Sequence, residues 1–428
     1  MQARSTSLVA PFRNRGFALL WTGMTVSLIG DGVLLVALAW QVYELSNAPM
    51  AMSVVGVAMT LPHVALLLLG GVVSDRFDRR RVMMASDAAR AAAGGTLGLL
   101  AVTGNLRLWH VLPLIAVYGA ASAFFGPAFD AVVPELVPED QLPQANAVDQ
   151  LARPFALRMT GPALGGLLIA AGGTGVAFLV DSCTFLVSMA CLSRIKLHRS
   201  TPGPDETPAS VVQDLKEGLR FVRRNVWLWG TFTAATFAYL LFMGPVEVLL
   251  PYIVKNDLGA GAGALGAVLA VGGVGSLAGA LTVAARGIPV RCMTFIYVAW
   301  TCSTLALAGY AFVGAVWQAM LISVLFSAFE AAGTVVWLTV KQRLVPRALL
   351  GRVSSLDWFI STGLVPLSFA ITAPVSGLIG ARGTFLLAGL LGSALTLAFL
   401  FLPGMRAVRV RATEPADEPG VVPVPALA

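Results

Sequence analysis

Gly71-Val-Val-Ser-Asp-Arg-Phe-Asp-Arg-Arg-Arg81 joins two apolar runs, 51–73 and 83–104. Each run has the ~20 residues that an α-helix needs to cross the hydrocarbon core of a bilayer. The joint holds four arginines, Arg76, Arg79, Arg80 and Arg81. Two spans tied by a short basic turn read as a transmembrane hairpin whose turn stays on the cytoplasmic side.

The same grammar extends in both directions. Breaking the chain at charged or Pro/Gly-rich joints gives spans at 17–42, 51–73, 83–104, 108–131, 145–170 and 174–195. A second set follows at 226–253, 260–285, 292–313, 315–340, 351–379 and 382–402. The expectation is an all-α membrane protein of about twelve helices. Composition agrees: 57% of residues are hydrophobic, 12% are charged and mean hydropathy is +0.80. Soluble proteins carry about 25% charged residues, so most of this surface has to meet lipid. The net charge of +7 does not point to nucleic acid, because the basic residues sit in short joints between apolar runs.

Lysine and arginine counts orient the bundle. With the N-terminus placed inside, 23 of the 29 basic residues fall in cytoplasmic segments. Only Arg107, Lys255 and Arg382 fall outside, and Arg90, Arg153 and Arg158 lie within spans. Both termini are therefore expected in the cytoplasm of a multi-pass protein of the cell membrane. The first span follows Arg13 and Arg15, is too long for a signal sequence and lacks a small-residue cleavage site, so it reads as a retained helix.

Five regions follow. Residues 1–16 are a cytoplasmic N-terminus, 17–195 a first six-helix half and 196–225 a cytoplasmic linker. Residues 226–403 form a second six-helix half and 404–428 a Pro-rich tail expected to be disordered. Within the linker, Val211, Val212, Leu215, Leu219 and Val222 share one helical face, which suggests an amphipathic helix lying on the cytoplasmic surface. The halves echo each other: Leu136-Val-Pro138 and Asp149 recur 208 residues later as Leu344-Val-Pro346 and Asp357. Internal repeats of this kind mark transporters that rock one half against the other.

Charge inside a span is costly and points to function by default. Asp31 stands in Leu28-Ile-Gly-Asp-Gly-Val33 with no cation within one turn. It reads as a proton or cation site on a central cavity, or else as a buried structural acid. Glu247 and Glu330 carry the same two readings. Arg158 has no acid one turn away and is a candidate for an anionic group of the cargo. Asp149 and Arg153, spaced i,i+4, suit an ion pair at the cytoplasmic mouth. Asp87 and Arg90, spaced i,i+3, read as a structural pair.

Other chemistry is missing from the sequence. Cys183, Cys191, Cys292 and Cys302 lie in apolar segments without a CxxC. There is no metal-spaced His/Cys cluster, no GxSxG and no GxxxxGK[ST]. Gly272-Gly-Val-Gly-Ser-Leu-Ala-Gly279 lacks the strand that a dinucleotide loop requires, and its small residues suit close helix packing. No enzyme and no cofactor are expected. Uphill movement of a small-molecule substrate would draw on an ion gradient, protons above all. The expected assembly is a monomer in the lipid bilayer.

The loop that opened this reading resembles the signature loop of the major facilitator superfamily, Gly-x-x-x-Asp-Arg-x-x-Arg-Arg, through Gly71, Asp75, Arg76, Arg79 and Arg80. Asp78 stands where many members have glycine. The resemblance implies a gate, with Asp75 facing Gly351 and Arg352 at the start of span eleven when the transporter is open outward. Gly161-Pro162-Ala-Leu-Gly165-Gly166 is similar to the core of the motif of drug-exporting antiporters, although position 157 is Leu where the motif has glycine. With Pro134-Glu-Leu-Val-Pro138 and Ala145-Asn-Ala147, residues 10–403 resemble the branch of enterobactin exporters and macrolide-efflux proteins. The resemblance implies export of a drug, siderophore or similar amphipathic molecule in exchange for protons. An importer or uniporter of the same superfamily and a non-transporting scaffold or receptor are the alternatives. Many proton-coupled members carry an arginine in span four; here that span has none, and Arg90 or Arg158 would have to replace it.

Overall fold

The computed structural model describes residues 10–138, 141–195 and 211–408. Helices and short turns account for these residues, with no strand among them. α1 spans Arg15–Leu45, α2 Pro49–Arg76, α3 Arg79–Val102 and α4 Leu108–Leu136. α5 (Leu142–Arg153) runs through a π-helical stretch, Pro154–Thr160, into α6 (Gly161–Ser193). α7 is Val211–Arg224. α8 (Val226–Gly244) continues through a π stretch, Pro245–Leu249, the short α9 (Leu250–Tyr252) and a second π stretch, Ile253–Asp257. α10 (Ala262–Arg286), α11 (Cys292–Ala308), α12 (Val316–Leu344), α13 (Arg347–Thr362) and α14 (Val365–Phe399) follow.

Nine segments among the described residues are long and apolar enough to cross a membrane. Two of them are double. Pro154–Ser193 breaks at Gly173 and Leu349–Phe399 breaks at Gly380, where φ is +78° and +75°. A Cβ in that left-handed region costs roughly 1–2 kcal/mol, which is why glycine occupies both breaks. Counting each double segment as two and adding α3, whose charges lower its hydropathy, gives twelve rods. The rods overrun the expected spans at several ends; α4, for example, reaches Leu136 rather than 131. Polar caps support the longer ends. Asn14 accepts from the Gly16 and Phe17 amides at 2.8 and 3.3 Å, and its own amide donates to the Leu136 carbonyl. Asp78, the departure from the family loop, accepts from the Arg81 amide at 3.0 Å and caps α3.

The rods have two kinds of end. The basic end gathers the α2–α3, α4–α5, α10–α11 and α12–α13 joints with α7. The far end gathers the α1–α2, α3–α4 and α11–α12 joints with the breaks at Gly173 and Gly380. At the far end a single apolar core takes in Val42 and Tyr43 of α1, Ile115 of α4, Val248 and Ile253 beyond α8, Leu265 of α10 and Phe369 of α14. Two separate cores fill the basic end. One joins Phe17, Met24, Met83, Val132 and Leu192 of the first six rods. The other joins Trp227, Ile296, Val336 and Val353 of the last six. The bundle is thus one packed body at the far end and two at the basic end.

α7 is a helix with one buried and one exposed face. Leu219 is 39% exposed, while Gly218 and Val222 are buried. A Cβ on Gly218 would lie 3.2 Å from Arg352 Cβ, so α7 packs on α13 through that glycine. The expected N-terminal segment through residue 9, the linker over 196–210 and the tail from 409 onward lie outside the described residues.

Candidate functional site: a buried acid–arginine cluster

Asp31 is not alone. Arg90 of α3 reaches it across the bundle, with Nη1 3.6 Å from Asp31 Oδ2. The same guanidinium donates through Nη2 to Asp87 Oδ1 at 2.5 Å. The Asp87–Arg90 pair, read from its spacing as purely structural, is therefore half of a site that includes Asp31. Tyr118 of α4 donates its hydroxyl to Asp31 Oδ1. Two aromatic rings sandwich the arginine: its guanidinium carbon lies 4.2 Å from the Phe185 centroid and 4.9 Å from that of Phe125. A guanidinium accepts such faces because it is planar and weakly hydrated.

Asp181 of α6 completes the group, and the spacing arguments overlooked it. It is fully buried. Its Oδ1 would lie 2.7 Å from a Cβ on Gly30, and its Oδ2 3.2 Å from a Cβ on Gly94. It therefore sits between α6 and the helices α1 and α3. A lone acid within a span is the criterion that singled out Asp31, and the segment Leu179-Val-Asp-Ser182 meets it equally. Tyr118, a polar group in an apolar helix, gave no such signal.

Arg158 and Glu247 lie on the two π stretches Pro154–Thr160 and Pro245–Leu249. Such stretches are enriched at functional sites. Arg158 is exposed, and both Glu247 and Tyr239 are within its electrostatic reach. Glu330 of α12 accepts from Thr334 at 3.2 Å. Tyr239 packs on Phe242 at 5.2 Å, and Phe242 on Phe326 at 5.5 Å. Here one cation, two acids and a row of aromatic rings lie near each other, apart from the Asp31 cluster. Asp149 and Arg153 form their i,i+4 pair at 2.8 Å, with the Arg153 guanidinium 5.3 Å from the Phe129 centroid.

The gate-loop arginines hold to the first six rods. Arg79 pairs with Glu135 and donates to the Ala131 carbonyl at 3.1 Å; Arg80 donates to the Ile195 carbonyl at 3.0 Å. Arg76 is exposed. The Asp75 side chain lies outside the described residues, and Arg352 pairs with Glu217 of α7 at 2.5 Å. Gly71 has open space where a Cβ would stand. The antiporter-like motif does three packing jobs. A Cβ on Gly161 would lie 2.6 Å from Gly32 Cα, one on Gly165 3.1 Å from Val33 Cα, and one on Gly166 3.1 Å from Gly263 Cα. Pro162 presents its carbonyl to Gly266, 2.5 Å from where a Cβ would be. One short motif therefore seats the π stretch on α1 and the first six rods on α10.

Two of the counted basic residues have partners that the count does not show. Lys341, assigned to a loop, is buried near the end of α12. It donates to Asp357 Oδ2 at 2.7 Å; Trp337 Nε1 donates to the same oxygen at 3.0 Å, and Ser361 to Oδ1 at 3.2 Å. Lys255, one of the few basic residues at the far end, donates to the Tyr43 carbonyl at 2.5 Å and lies over Trp40.

Comparison with known proteins agrees with this architecture. The chain is 30% identical over 282 residues to the uncharacterized MFS-type transporter YfiS of Bacillus subtilis, covering 64% of this chain and 65% of that protein. It is 26% identical to macrolide efflux protein A of Streptococcus pyogenes, over 55% of this chain and 58% of that protein. The matches thus span less than two thirds of those two relatives. The multidrug efflux pump Tap of Mycobacterium tuberculosis is 28% identical over 95% of this chain and 98% of its own length. Among solved structures, a POT family transporter in complex with 5-aminolevulinic acid shares the fold with a TM-score of 0.70 at 12% identity, over 90% of this chain and 96% of that one. A bacterial homologue of the human lysosomal transporter Spinster, inward-facing and unoccupied, gives 0.62 at 15% identity over 93% of each chain. A family model described as transmembrane secretion effector matches residues 6–425, and with nearly the whole chain covered the protein belongs to that family, MFS_3, of major facilitator membrane transporters.

Proposed function

We propose that the protein exports a small amphipathic molecule in exchange for protons, by alternating access between its two six-rod halves. In this reading the basic end faces the cytoplasm. The observation that carries it is the Asp31 cluster. Asp87, Arg90 and Asp181 are buried, whereas the Asp31 side chain keeps 21% of its surface accessible. A carboxylate poised between a buried counter-cation and an accessible space suits reversible protonation. The names of the relatives, macrolide efflux and multidrug efflux, favour export. Arg158, Glu247, Glu330 and the rings of Tyr239, Phe242 and Phe326 are the groups that would meet the cargo. A mostly apolar wall with a few charges suits a bulky, partly apolar molecule.

The test is flux in proteoliposomes under an imposed pH gradient, with candidate cargoes taken from a thermal-shift screen, since binding stabilises the folded protein by mass action. Wild-type protein should move cargo against its gradient only when protons run the other way. Asp31→Asn should abolish that coupling. Movement indifferent to the pH gradient, or unchanged in the variant, would rule the exchange out. In whole cells, accumulation of cargo on expression would identify an importer instead.

A further inference from the structure

Three carboxylates, Asp31, Asp87 and Asp181, share one guanidinium, and their partners are unequal. Asp87 takes the 2.5 Å hydrogen bond from Arg90. Asp31 has the looser 3.6 Å contact and the hydroxyl of Tyr118. Asp181 is fully buried and neither of its oxygens takes a well-formed hydrogen bond, although the Tyr118 hydroxyl lies near it. Other groups face this pocket from every side. They are Asp31 on α1, Asp87 and Arg90 on α3, Tyr118 on α4, Thr184 of α6 near Asp181 and Ser188 of α6 near Asp87; Arg153 reaches Asp31 from α5. Tyr118 is within electrostatic reach of both Asp31 and Asp181 but gives its hydroxyl hydrogen to Asp31.

An ionised carboxylate without hydrogen bonds in a dry interior is far costlier than the neutral acid, and neighbouring like charges add to that cost. One guanidinium cannot balance three negative charges. Asp87 and Asp31 hold the contacts with that guanidinium, so Asp181 is the acid that takes the first proton. We propose that Asp31 and Asp181 share one exchangeable proton, held by Asp181 in this conformation and passed through Asp31 to the accessible space. The proton leaves the Asp181 carboxyl for the Asp31 carboxylate, so one acid ionises as the other is neutralised. Tyr118 is the positioning residue: while its hydrogen is given to Asp31, that acid is held as the acceptor. This inference rests on the proton-exchange reading for its use in transport, but the protonation of Asp181 stands apart from any flux.

The experiment is infrared difference spectroscopy of the full-length protein in lipid, following the carbonyl band of protonated carboxyl groups in H2O and D2O near neutral pH. The wild type should show such a band, Asp181→Asn should lose it, and Asp31→Asn should keep it. A band unchanged in Asp181→Asn would overturn the assignment. If that variant does not fold, the wild-type band decides by itself: a band absent at neutral pH that grows in only as the pH falls to the ordinary carboxylate range, ~4, would overturn it. Transport separates the two claims. A wild type whose flux ignores the pH gradient defeats the exchange reading while leaving the infrared result to judge the proton site. A proton-coupled wild type whose Asp181→Asn variant stays coupled defeats the shared proton alone.

Discussion

The far end and the basic end are built from the same rods yet packed in opposite ways. At the far end the first and last six rods share a core and are stitched directly. Tyr43 donates to the Val248 carbonyl at 2.5 Å, Lys255 returns a bond to the Tyr43 carbonyl, and Asn47 meets Asn256 at 2.7 Å. At the basic end Arg79–Glu135 stays within the first six rods and Lys341–Asp357 within the last six, while Arg352 pairs with Glu217 of α7. The difference teaches which contacts belong to a state and which to a rigid body. Pairs internal to one half travel with it. The far-end stitches have to break if the halves are to rock, and their breakage is where alternating access becomes measurable.

The largest effect comes from refusing that breakage. Asn47→Cys with Asn256→Cys, in a background lacking the four native cysteines, places two thiols at an exposed far-end contact. A short cleavable bifunctional thiol reagent should reduce transport to background, and cleavage should restore it. Transport that survives cross-linking would break the comparison, because the far end would then not need to open.

The basic end predicts a loss of stability rather than a change of state. Lys341→Ala leaves the Asp357 carboxylate without its cation in a largely buried place. Removing one partner of a buried pair typically costs about 3–5 kcal/mol. A lower melting temperature is expected, and Asp357→Asn in the same chain should restore part of it. Cysteine labelling at the far end should be unchanged until the protein unfolds. Next in size is Gly266→Ala, whose Cβ would stand 2.5 Å from the Pro162 carbonyl and 2.9 Å from Gly166 Cα. Overpacking of this kind costs ~1–3 kcal/mol. The strain falls on the crossing between the halves, so it should shift the population toward an open far end by roughly tenfold for each 1.4 kcal/mol. Faster thiol labelling of Asn47→Cys would report it. Loss of stability with no change in labelling would mean that this crossing is part of a rigid body.

Much of this contrast was legible in the sequence, and the rest was hidden for a physical reason. Spans and joints follow from hydropathy because a bilayer punishes unpaired backbone over a fixed thickness. Local pairs such as Asp149–Arg153 follow from helical spacing. The Asp31 site did not, because its partners come from α3, α4 and α6, and one sequence does not say which helix faces which. Reading Asp87–Arg90 as self-contained was the cost of searching one turn at a time. Asp181 is as legible as Asp31, being a lone acid within a span, whereas Lys341 falls in an expected joint because hydropathy ends the span before the helix, which runs on to Leu344. Gly161, Gly165 and Gly166 were visible as a motif, but only the packing shows that adjacent glycines serve different partners, α1 and α10.

The smallest effect tests what holds the far end shut. Arg382 pairs with Asp257 at 2.8 Å and donates to the Ala311 carbonyl at 3.2 Å, with its side chain 41% exposed. Exposed pairs contribute only about 0.2–1 kcal/mol and are screened by salt. If the shared apolar core carries the closure, Arg382→Ala should leave Asn47→Cys labelling within about fivefold of its parent, and that small change should vanish at high salt. Val248, Ile253 and Leu265 from the last six rods are fully buried beside Val42 and Ile115 from the first six. Apolar burial is indifferent to ionic strength in a way that surface charge is not. A large, salt-sensitive opening in Arg382→Ala would instead make the far-end charges the latch, and the two ends of the molecule would then be held by the same force after all.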